Sequence, residues 1–69
     1  MRKQTNFLVT DEGTVVLITP VSDKARQWVD ENLSIEAWAW LGDSFGVEHR
    51  YAYDILEAIS EEMGGVEAG

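Results

Sequence analysis

The sequence predicts an α+β domain: a small antiparallel sheet with two helices on one face, in the order ββαββα. Three observations predict it. Two short runs rich in Phe, Leu, Val, Ile and Thr flank Asp11-Glu12-Gly13. Two later stretches carry apolar residues at helical spacing, the mark of an amphipathic helix. Pro20, Gly42 and Gly64-Gly65 punctuate the chain where elements must end.

Residues 6–10 and 14–19 read as two strands. The three residues between them end in Gly, where a positive φ is easiest, which is the pattern of a hairpin with a bulge. Pro20 stops the second strand because it has no N–H for a ladder. Ser22 then suits an N-cap, and Asp23 sits in the first turn, where the helix dipole favours an anion. Ala25, Trp28, Val29 and Leu33 recur at helical spacing, with Asp23, Arg26, Gln27, Asp30 and Glu31 on the other face, so residues 23–32 read as a helix.

Residues 34–48 admit two readings. Over residues 37–41 an extended strand puts Trp38 and Trp40 on one side; Gly42-Asp43-Ser44 is turn chemistry, and Phe45-Gly46-Val47 returns as a second strand. The rival is a one-turn helix capped by Ser34. Two strands are preferred because the stretch is short for a helix and Trp favours sheet. Residues 49–63 carry the stripe Ala52, Ile55, Leu56, Ile59 and Met63, and Gly64-Gly65 supplies the left-handed stop. Residues 1–4 and 66–69 are expected to fray. All 69 residues form a single domain, the limit at this length.

Composition narrows the function. Thirteen Asp+Glu against five Lys+Arg give a formal charge of −8. A chain of that charge is repelled by nucleic acid, whose binding requires Lys and Arg to displace counterions. Its partners should be basic surfaces. Absence of Cys excludes disulfides and thiolate metal sites and points to a reducing compartment, the cytoplasm. No apolar run reaches the ~18 residues of a membrane span. Met1-Arg2-Lys3 leads into a polar stretch broken by Asp11, Glu12 and Gly13, unlike a signal peptide.

Catalytic chemistry finds no constellation. His49 is the sole histidine, and neither Ser44 nor Ser60 sits in a nucleophile elbow. Asp11-Glu12-Gly13 lacks the alternating oxygen ligands of a calcium loop, and Gly64-Gly65 follows a helix where a phosphate loop precedes one. No enzyme, cofactor or metal site is expected.

The placement of charge says more. From Gln27 onward there are ten acids against one base, Arg50. On the last helix Asp54, Glu57 and Glu61 fall within about 60° of one another, opposite the apolar stripe. Glu57 and Glu61 repel as an i,i+4 pair, and Glu61, Glu62, Asp30 and Glu31 stand at helix C-terminal ends, where the dipole penalises anions. Together these choices cost about 1–3 kcal/mol in a small domain. Carboxylates three or four residues apart lie about 5–6 Å from one another, the same order as neighbouring phosphates. The candidate partner-binding residues are therefore Asp54, Glu57, Glu61 and Glu62, with Asp30, Glu31, Asp43 and Glu48 as the next ring. Trp28, Trp38 and Trp40 read as core, an exposed one among them as an interface anchor. Tyr51 and Tyr53 flank the apolar stripe and frame a binding face.

The block Trp40-Leu41-Gly42, then Val47-Glu48-His49-Arg50-Tyr51, then Asp54-Ile55 resembles a group of small acidic proteins of bacteria and their phages. Together with size and acidity it resembles phage-encoded anti-CRISPR proteins, the type I-C inhibitor group, over residues 5–62. The resemblance implies an inhibitor in the host cytoplasm, a monomer or weak dimer. It would bind a Cascade-type surveillance complex as a DNA mimic and block capture of target DNA. The basic channel that holds the protospacer-adjacent duplex is the natural target. The motif carries no functional residue across; the acids named above come from the helix geometry. The alternative is an antitoxin-like or adaptor protein that binds a basic partner through an aromatic patch.

Overall fold

A computed structural model of the chain describes residues 5–68. The elements run β1 (Phe7–Asp11), β2 (Val16–Pro20), α1 (Asp23–Asn32), a single 3-10 turn (Ala37–Ala39), β3 (Trp40–Leu41), β4 (Ser44–Val47), α2 (His49–Glu62) and β5 (Val66–Ala68). The chain is α+β in the expected order, with one strand more. The sheet order is β3-β4-β2-β1-β5. Every pairing is antiparallel except β1 with β5, which is parallel, so the sheet is mixed.

The first hairpin is wider than the sequence suggests. Asp11 pairs with Val16, so it closes β1 and leaves residues 12–15 as the loop. The Asp11 carboxylate accepts the Gly13 N–H at 2.8 Å, and Gly13 takes φ +92°. A short acidic side chain that bonds two residues ahead makes its own turn, and Thr14 is drawn out of the strand. The Glu12 N–H closes the loop on the Val15 carbonyl at 2.9 Å. Ser22 caps α1 as expected, its Oγ accepting the Ala25 N–H at 3.1 Å.

Residues 37–41 do not form one strand. Ala37–Ala39 make a 3-10 turn, with the Ala39 N–H donating to the Glu36 carbonyl at 2.9 Å, and only Trp40–Leu41 join the sheet. Ala at 37 and 39 favours a helical turn over an extended sheet edge. The turn rotates the two indoles apart. Trp40 packs edge-to-face on Phe45 with ring centroids 5.2 Å apart, whereas Trp38 is 82% exposed and does not belong to the core. Phe45-Gly46-Val47 does return as a strand, paired with β2.

The C-terminal residues 66–68 form β5 where fraying was expected. Gly64 and Gly65 take φ +66° and +73° and reverse the chain after α2. The Gly65 carbonyl then accepts both the Asn6 and the Phe7 N–H, at 2.8 and 3.0 Å, which sets Val66 beside Phe7. The expectations for residues 1–4 and for Gly69 lie outside the described residues.

Register explains the core. Phe7, Val9, Val16, Ile18, Phe45 and Val47 share one sheet face. Both helices send their buried residues, Ala25 and Val29 from α1 and Ala52 and Ile59 from α2, into that same cluster. Trp28 is half-buried and meets Phe7 edge-on at 6.2 Å. Asn6, only 8% exposed, joins three segments. Its Oδ1 accepts the Ser22 hydroxyl at 2.7 Å, its Nδ2 donates to the Gly64 carbonyl at 3.3 Å, and its carbonyl accepts the Val21 N–H at 2.8 Å.

Candidate partner-binding surface

All eight candidate acids are exposed, but they do not form one ridge with an encircling ring. Asp54, Glu57 and Glu61 occupy the outward side of α2, opposite buried Ala52 and Ile59. No ion pair among the described residues reaches them: Arg26 pairs with Asp23 at 3.1 Å, Arg50 with Glu48 at 3.7 Å, and His49 with Asp11 at 3.1 Å. The row is therefore not neutralised by any ion pair among the described residues.

The other acids are more engaged. Glu62 turns toward α1 and accepts the Trp28 indole N–H at 2.6 Å, so it ties the helices together. Glu31 accepts from the Gln27 amide at 3.1 Å along α1. Asp30 and Asp43 line one depression of about 450 Å³ with Trp40 and with Arg26, which pairs with Asp23. Glu48 shares its carboxylate with Arg50 at the start of α2. Asp54, Glu57 and Glu61 are thus the acids that share one helix side with neither an ion pair nor a side-chain hydrogen bond among the described residues.

A second depression, about 560 Å³, lies beside that row. Its half-buried lining is Leu33, Ile35, Val47 and Ile55, all packed on the core, and the exposed rings of Trp38 and Tyr51 stand with them. Three carboxylates, Glu36, Glu48 and Asp54, complete the lining. The Arg50 guanidinium lies over the Tyr51 ring, 5.1 Å from its centroid. Tyr53 is exposed elsewhere on α2 and does not line this groove.

The sequence places Trp38 with the core, or as an interface anchor if exposed, and does not mark Glu36, Leu33, Ile35 or Val47 as binding residues. The periodicity of α1 ends at Leu33, and nothing in the linear pattern brings residues 33–38 against α2. The signal that was present is the pair of alanines around Trp38, too small to enclose an indole.

Among the described residues, no group of three or more His, Cys, Asp or Glu is placed to hold a metal ion, and no helix is long and apolar enough to cross a membrane. Comparison with protein-family models, with curated proteins and with solved structures finds no match.

Proposed function

We propose that the protein inhibits a nucleic-acid-binding assembly by presenting carboxylates where that assembly holds phosphates. One observation carries the reading: Asp54, Glu57 and Glu61 lie exposed along one side of α2, and no ion pair among the described residues reaches them. Solubility alone calls for mixed signs, and this row adds intrahelical repulsion instead. A partner's Lys and Arg would relieve that repulsion on binding, and Arg–carboxylate pairs would orient the contact. The type I surveillance complex is the partner suggested by the resemblance, since its channel for the protospacer-adjacent duplex is built to hold phosphates.

Competition tests this directly. Retention of a labelled target duplex by a purified type I-C surveillance complex is measured with increasing protein, across a salt series. Inhibition should fall steeply with salt, because opposite fields steer the encounter. Glu57→Lys with Glu61→Lys should weaken it by at least about tenfold, the effect of about 1.4 kcal/mol. Inhibition that survives the double reversal and stays flat with salt removes the mimic.

A second reading is favoured by the exposed Trp38. An adaptor or antitoxin would dock a basic partner protein through that indole, since Trp is enriched among residues that dominate binding energy. Trp38→Ala would then abolish binding that the α2 charge reversals leave intact.

A further inference from the structure

The groove beside the acidic row has the anatomy of an interface centre: apolar lining, exposed aromatic rings and a polar margin. Its volume of about 560 Å³ falls in the range of pockets that enclose a ligand group. We infer that this groove docks a basic segment of a protein partner. One aliphatic or aromatic side chain enters against Trp38, Leu33 and Ile55, while flanking Lys or Arg residues meet Glu36, Glu48 and Asp54. The inference rests on the second reading above, a basic partner docked through Trp38, and adds the groove and the kind of segment that fills it.

Charge complementarity chooses the occupant. Every charged group that lines the groove is a carboxylate, and the nearby cation, Arg50, lies over Tyr51 and pairs with Glu48. A second copy of this chain would set one acidic margin against another, on a molecule of charge −8. An apolar anchor without basic neighbours would leave Glu36 and Asp54 partly desolvated with no cation to meet them, which is costly. A purely basic segment would leave Trp38 and its apolar neighbours in water. A segment with both features satisfies both halves of the site.

Two fluorescein-labelled peptides of equal charge test this on the full chain. One is Arg-Lys-Leu-Phe-Lys-Arg; in the other, Gly-Ser replaces Leu-Phe. Anisotropy gives the affinities, and the indole N–H signal of Trp38 in nitrogen-15 spectra gives the locus. The Leu-Phe peptide should bind at least about tenfold tighter than its control and shift the Trp38 signal. Trp38→Ala and Glu36→Lys should each reduce that affinity by about fivefold or more. Both side chains are exposed, and thermal melts of the variants confirm that they fold.

Equal affinity for the two peptides overturns the inference, as does an unmoved Trp38 signal or an unchanged affinity in Trp38→Ala. Sedimentation that shows a dimer abolished by Trp38→Ala gives the groove to a second copy and overturns it too. Glu36 and Trp38 lie outside the Asp54–Glu57–Glu61 row. Failure of duplex competition therefore leaves the peptide result standing, and failure of the peptide leaves the mimic standing.

Discussion

Asp11 does two jobs with one carboxylate. It accepts the Gly13 N–H that shapes the first hairpin, and it pairs with His49 at the start of α2. The Gly13 bond first, and then the bond from His49, hold its carboxyl below its ordinary value of 3.8. A group whose pKa is depressed by folding stabilises the native state above its unfolded pKa, and that contribution is lost as pH falls through the folded one. Asp11→Ala should therefore lower stability at pH 5–6, and the gap to the wild type should close below about pH 3.8. Urea melts of both proteins between pH 3 and 6 check this. A gap that does not change over that range refutes the linkage. Trp28 shows the same division of labour, its ring against Phe7 and its N–H on Glu62.

At the scale of elements, one side chain knits the ends together. Asn6 bonds Ser22, the cap of α1, and Gly64, the exit of α2, while its backbone bonds Val21 and Gly65. The Ser22 hydroxyl donates to Asn6 and accepts from Ala25, so the cap and the joint share an atom. Asn6→Ala leaves a part-buried hydroxyl and a carbonyl short of a partner, a loss of about 1–3 kcal/mol. It should also loosen β5, because the lost Nδ2 bond holds Gly64, two residues before the strand starts. Hydrogen exchange at residues 66–68 is the measurement. Protection unchanged from the wild type argues against the joint. Thr5 adds a second tie through its hydroxyl to Glu67.

For the whole molecule, the unbalanced charge has a cost that salt reveals. Thirteen acids face five bases, and the described ion pairs are exposed; exposed pairs contribute little. Repulsion among the carboxylates destabilises the compact state, and screening relieves it. The melting temperature should rise as sodium chloride goes from about 0.01 to 0.5 M, by several degrees if about 1 kcal/mol of repulsion is screened. A fall in melting temperature would mean that attractive pairs dominate. The same salt that steadies the fold should weaken binding to a basic partner, and the opposite signs separate the two effects.

Local rules sufficed wherever the chain makes its own structure. The cap at Ser22, the bounds of α1, the stripe and glycine stop of α2, and the strand at Phe45-Gly46-Val47 were all legible, because neighbours in sequence supply those bonds and periods. So was the outward row Asp54, Glu57 and Glu61, since a helix of 3.6 residues per turn fixes which side chains share a side. Tertiary structure decided what depends on distant partners. Val66–Ala68 become a strand only because Asn6 and Phe7 offer N–H groups to Gly65. Trp38 turns outward because a 3-10 turn replaces the strand start, and Glu62 leaves the acidic row because Trp28 lies across from it. The groove between residues 33–38 and α2 exists only after packing, for no linear spacing records which surfaces the fold brings face to face.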